Sequence, residues 1–126
     1  MTIHVSWDND AQTALLIHFD REWSWDEFYR MVLNTAELAR QVEHKVDLIF
    51  DLMDSRPVGS EAVIYCRRWV GQWPANTGHV AIVSRQLMVA AVVSIFGRTN
   101  PGCRGNASVT HSLDEARRVL AERRGG

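Results

Sequence analysis

IHVSWDNDAQTALLIHF, residues 3–19, is the stretch that decides the fold. Ile3, Val5 and Trp7 alternate with His4 and Ser6, the period-two pattern of a strand with one wet face. Asp8, Asn9 and Asp10 are turn formers, and residues 13–19 are rich in branched and aromatic side chains. The segment predicts an antiparallel hairpin. A helix directly after Asp10 would mean a different fold.

Downstream of the hairpin, WSWDEFYRMVLNTAELARQVEH (residues 23–44) predicts a helix. Ser24 and Glu27 have capping-box spacing, and Trp23 and Phe28 have the spacing of a hydrophobic staple. Trp25, Phe28, Val32, Ala36, Ala39 and Val42 then recur at helical period. VDLIFDL (residues 46–52) reads as a buried strand, followed by a loop with Pro57 and Gly59 and a helix over residues 60–73. In that second helix Ala62, Cys66, Trp69, Val70 and Trp73 mark the buried side. PANTG ends it, because proline and glycine both break helix. HVAIVS (79–84) is a short apolar strand suited to a parallel sheet. Residues 87–96 form an apolar helix, either deeply packed or covering a partner. RTNPGCRG is turn-rich, NASVTH is a last strand, and SLDEARRVLAER is a closing helix with a second capping box, Ser112 with Glu115. Strand and helix alternate after the hairpin, which argues for parallel pairing. The expectation is α/β: a single domain over residues 1–126, with a five-stranded mixed sheet and about four helices.

Composition narrows the function classes. A chain of 126 residues, 46% apolar and 23% charged, is ordinary for a globular domain. Its net charge of -1 argues against a dedicated nucleic-acid binder. The longest apolar run is about half of what a membrane span needs, and no segment resembles a secretion signal. The expectation is therefore the cytoplasm and no membrane partner. Cys66 and Cys103 lie far apart and outside any ligand-spaced cluster, so they read as reduced thiols. His4 and His18 face each other across the hairpin but have no third ligand, and no histidine has an evident nucleophile beside it. No metal, cofactor or catalytic residue is assigned.

The order of elements, together with the WSWDEFYRMV, VDLIFDL, TGHVAIVS and ASVTHSLDEARRVLAE stretches, resembles the SpoIIAA-like branch of the STAS superfamily, the fold of anti-sigma factor antagonists. The resemblance implies a non-enzymatic regulatory module that binds a protein partner, an anti-sigma factor or a kinase-like protein. It implies a switch by phosphorylation of a serine in a DSSG motif at a helix start. A gapless carry-over from Asp51 puts Gly59 and Ser60 at the Asp and first Ser of that motif. Glu61 and Ala62 then fall at its phosphorylated Ser and Gly, so the motif itself is absent; a slid register would instead bring Ser60 to the acceptor position. The binding surface implied is Asp54, Ser55, Arg56, Ser60 and Glu61. Relatives of this fold also hold apolar molecules between sheet and helices, and the corresponding lining here is Trp25, Phe28, Trp69, Leu87 and Phe96.

Two further readings attach to the same residues. DLIFDLMDSRPVGSEA also resembles receiver domains, with Asp51 as phosphoacceptor, Asp8 to Asp10 as the metal-binding acidic pair and Ser84 as the switch hydroxyl. That chemistry needs clustered carboxylates and a lysine on the last strand, and NASVTH has no lysine. The plain structural reading makes Ser60 the helix N-cap, lets Glu61 favour the helix dipole, and has Asp51 bond to loop amides. Five tryptophans in so small a chain, with Trp69 and Trp73 on one helical face beside Arg67 and Arg68, suggest anchors for a partner. A homodimer through the second or third helix is the alternative partner.

Overall fold

The computed structural model describes residues 2–99 and 106–125; the turn-rich loop around Cys103 lies outside them. The hairpin forms as its alternation dictates, with β1 (Ile3–Trp7) antiparallel to β2 (Ala14–Phe19). Asn9 shapes the turn: its carbonyl oxygen accepts from Thr13 N at 3.0 Å and its amide donates to Thr13 Oγ1 at 2.8 Å. Helix α1 (Trp25–Arg40) follows, then β3 (Val46–Asp51), α2 (Ala62–Trp69) with a 3-10 turn at Val70–Gln72, β4 (Thr77–Val83), α3 (Leu87–Thr99), β5 (Ala107–Thr110) and α4 (Leu113–Gly125).

The sheet order is β1-β2-β3-β4-β5, with every pair after the first parallel. Strands added one after another in a single direction, through crossovers of one hand, place their connecting helices on one face. The core agrees. Leu15, Ile17, Phe19, Val46, Leu48 and Ile82 of the sheet pack with Phe28, Val32, Ala62, Val89 and Val92 of α1, α2 and α3. On the other face Ala14, Ile49, Ala81 and Val83 meet Ala116 and Leu120 of α4 alone. Among the described residues one helix covers the second face, and its polar row beside β1 stays near solvent.

In both predicted capping boxes the serine caps its helix while the carboxylate turns elsewhere. Ser24 Oγ accepts from Glu27 N at 3.2 Å, and Trp23 and Phe28 pack with ring centroids 6.0 Å apart. The Glu27 carboxylate reaches Thr2, accepting from its hydroxyl at 2.6 Å and its amide at 3.2 Å, and so ties α1 to the start of β1. In α4, Ser112 Oγ accepts from Glu115 N at 3.1 Å while Glu115 accepts from His111 N at 3.4 Å.

Three expectations need correction. Ser60 is not an N-cap: α2 begins at Ala62, and the residue before it, Glu61, is already helical with no side-chain cap bond. The turn satisfies the free amides with its own backbone, Ala62 N donating to Gly59 O and Val63 N to Ser60 O, both at 3.2 Å. The second helix also ends early, at Trp69, and tightens into the 3-10 turn before Trp73. The apolar third helix is not deeply packed. Val89 and Val92 face the core, but Leu87 is 89% exposed and Met88 is also exposed.

A polar clamp that the sequence does not announce fixes the other end of the sheet. Asp47, buried in β3, accepts from His79 N and from Arg124 Nε, each at 2.9 Å. The same guanidinium donates to the carbonyls of Thr13 and Lys45. Gly78 makes room, since a Cβ there would stand 2.2 Å from Asp47 Oδ1.

Candidate binding surface and apolar cavity

The loop from β3 to α2 is held far more firmly than its turn residues alone require. Trp23, buried beside the start of α1, donates from Nε1 to Ser55 Oγ at 2.7 Å, and that hydroxyl donates to Arg56 O at 2.8 Å. Arg56 donates from Nε to Trp23 O at 2.9 Å, and its guanidinium lies 4.3 Å from the indole centroid. Gln86, just before α3, closes the other side. Its Oε1 accepts from Val58 N at 2.8 Å and its Nε2 donates to Arg56 O at 3.2 Å. Two elements far apart in sequence thus fasten one loop. Of the surface residues named from sequence, Ser55 and Arg56 are its struts, half-buried and bonded. Asp54, Ser60 and Glu61 are exposed around them, with Met53 and Ile64 also outward. The Glu61 carboxylate folds back over Gly59 at the head of α2.

Asp51 closes β3 at the same end of the sheet. It is buried, its Oδ1 accepts from Met53 N at 3.2 Å, and its Oδ2 accepts from His18 Nδ1 at 3.0 Å. His18 is its neighbour because β2 and β3 run parallel in that register. The other ring nitrogen of His18 faces Asp20 at 3.4 Å and Asp54 at 3.5 Å. His4 sits opposite His18, ring centroids 6.4 Å apart, and donates to Asp20 at 3.1 Å. That bond, opposed in part by desolvation, holds the Asp20 carboxyl below the usual range. Period-two alternation could have placed His4, His18, Asp20 and Asp51 on one face, but only the pairing register brings them into contact.

This row does not reproduce receiver chemistry. The turn at Asp8 lies by the N-terminal end of β3: Asp8 N bonds Ala14 O, and Ala14 is the partner of Asp47, four residues before Asp51. Asp8 is instead held by Arg117, with bonds of 2.9 and 3.1 Å. A strand, not a helix, follows the turn. Ser84 is buried, and its hydroxyl accepts from Gln86 N at 3.1 Å. Among the described residues no group of three or more His, Cys, Asp or Glu is arranged to hold a metal ion.

A cavity of about 270 Å³ opens between β3, β4 and the three helices of the first face. Of the residues named from the sequence, Phe28, Trp69 and Phe96 stand on its wall. Trp25 and Leu87 do not. Trp25, in the first turn of α1, stacks outside on Tyr65 with centroids 4.5 Å apart, and Leu87, in the first turn of α3, faces solvent. Phe50, Trp73 and Cys66 complete more of the wall. Burial pushes the Cys66 thiol up to about 11.

A search of solved structures finds a protein titled the anti-sigma factor antagonist SpoIIAA in its unphosphorylated form, with a TM-score of 0.64 over 98% of this chain and 97% of that one. This chain has the fold of SpoIIAA. Identity is only 12%, so the likeness is one of architecture, and the SpoIIAA-like fold accounts for the mixed sheet, the hairpin and the four helices together. No family model matches the chain. Nor does any curated protein match it. Among the described residues no helix is long and apolar enough to cross a membrane.

Proposed function

We propose that the protein is a regulatory interaction module: one domain, non-enzymatic, acting in the cytoplasm by binding a protein partner through the β3–α2 loop and the head of α2. The pre-fastened loop carries the reading. Binding costs free energy wherever a loop must be ordered, and here Trp23 and Gln86 have already ordered it. Around the struts, Asp54, Ser60 and Glu61 offer polar contacts, and Ile64, 60% exposed, offers an apolar one. The SpoIIAA fold supports a partner such as an anti-sigma factor or a kinase-like protein. In the gapless carry-over Glu61 takes the position of the switchable serine, and in that register the contact is constitutive, not phosphorylation-gated.

The test is affinity capture with quantitative mass spectrometry, using the whole chain, the surface variants Asp54→Arg, Glu61→Arg and Ile64→Asp, and Arg118→Glu on α4 as a control. A protein retained by the wild type and the control but lost by the loop variants is expected. Equal capture by all five chains would refute the surface. Light scattering on the same samples separates a second copy of this chain from a different partner.

A second reading, small apolar-ligand binding, is favoured by the cavity beneath α2 and α3.

A further inference from the structure

The lining of this cavity restricts what can occupy it. Among the described residues no acidic, basic or histidine side chain lines it, and the polar side chains on the wall are those of Cys66, Thr77 and Asn106. A charged group brought fully inside would lose its water with no opposite charge among the described residues to meet it. An anion held wholly inside is therefore a poor occupant.

Shape decides between a ring and a chain. Phe28 and Trp69 stack with ring planes 24° apart and centroids at 5.7 Å, and Phe50 and Trp73 stand near each other at 6.3 Å. Aromatic walls of this kind favour the face or edge of another ring. A cavity of about 150 Å³ accepts benzene, so about 270 Å³ has room for a second fused ring. A rigid ring system also loses fewer torsions on binding than an alkyl chain of equal volume.

We propose that this cavity is a binding site for a neutral, flat aromatic molecule of one or two fused rings. The inference rests on the ligand-binding reading above and narrows it to one ligand class. Val92 of α3 and Cys66 of α2 face the occupant from the helical side.

Naphthalene, dodecanol and decanoate, titrated calorimetrically into the whole chain, test it. Naphthalene is expected to bind once per chain with a dissociation constant of tens of micromolar, the range open to about ten heavy atoms, and to raise the unfolding temperature. Val92→Phe fills the space and should weaken naphthalene by about tenfold or more. Cys66→Leu serves the same purpose should the larger side chain fail to fold. Decanoate should not bind. Dodecanol binding without naphthalene would overturn the ring class yet leave an apolar site standing. Failure of both neutral probes on the folded chain would overturn both readings. Naphthalene binding unchanged in a folded filling variant would place the ligand elsewhere and overturn the assignment.

Discussion

Replacing Gln86 with alanine asks whether the β3–α2 loop is fastened as described. Gln86 supplies two bonds, from Val58 N to its Oε1 and from its Nε2 to Arg56 O. The losses are unequal. Arg56 O keeps the Ser55 hydroxyl at 2.8 Å, whereas Val58, itself buried, would have its amide stripped of its partner. Leaving one buried donor unsatisfied costs about 1–3 kcal/mol, and losing a shared bond adds less than 1 kcal/mol or so. The expected destabilisation of Gln86→Ala is therefore about 2 kcal/mol. At a urea slope of about 2 kcal/mol per molar the midpoint falls by roughly 1 M. Gln86→Glu retains an acceptor for Val58 N but sets a carboxylate oxygen against Arg56 O, so the Val58 amide should stay protected even where stability falls. Tryptophan fluorescence in urea gives both values. Hydrogen exchange adds a local reading: the Val58 amide should lose protection in Gln86→Ala while amides in β2 change only with global stability. A Gln86→Ala chain within about 0.5 kcal/mol of wild type, or one with Val58 still protected, would refute the fastened loop and with it the case for a pre-ordered binding surface.

The clamp predicts that Gly78→Ala is costly, because the new Cβ meets Asp47 Oδ1 at 2.2 Å while Asp47 is held by His79 N and Arg124. A loss of about 2–3 kcal/mol in urea unfolding is expected, and a neutral result would mean that Asp47 is not fixed. Burial, with the Arg123 charge adding to it and Asp47 opposing, holds the His79 imidazole below its ordinary range. The unfolded chain then binds more protons between the lowered value and about 6.5, so stability is complete above that pH and falls as pH drops through it. His79→Gln should flatten this part of the stability–pH curve, and an unchanged slope would dismiss His79 as its source. For Cys66, with its thiol pushed to about 11, roughly one chain in a thousand carries the thiolate at pH about 8. Iodoacetamide should label it at least about a hundredfold more slowly in the folded Cys103→Ser chain than in urea, and comparable rates would contradict its burial.

The hairpin, α1 with its cap and staple, and the alternation of strand and helix were all legible in the chain because they rest on local chemistry: period-two and period-3.6 patterns, turn residues and cap spacing. The mixed five-stranded sheet follows from those together with the hand of its crossovers. Ser60 shows where local chemistry misleads. It has the right residue type for a cap, but the backbone of the preceding turn supplied the bonds first. Leu87 shows the same for burial, since hydrophobicity alone does not say which side of a helix has a sheet beneath it.

The site is mostly tertiary. Trp23 could be read as a staple, but that its indole also holds Ser55, thirty-two positions away, depends on how α1 crosses the sheet. Gln86 gives no sequence signal at all. His18 meets Asp51 only because β2 and β3 run parallel in one register, and a slip of one residue would send the two to opposite faces. The sequence by itself determined which segments become strands and helices, since those choices are made between residues a few positions apart. The tertiary structure alone decided which loop is rigid, which aromatics enclose the cavity and which carboxylates share a histidine, because these contacts join residues whose separation in the chain carries no periodicity to read.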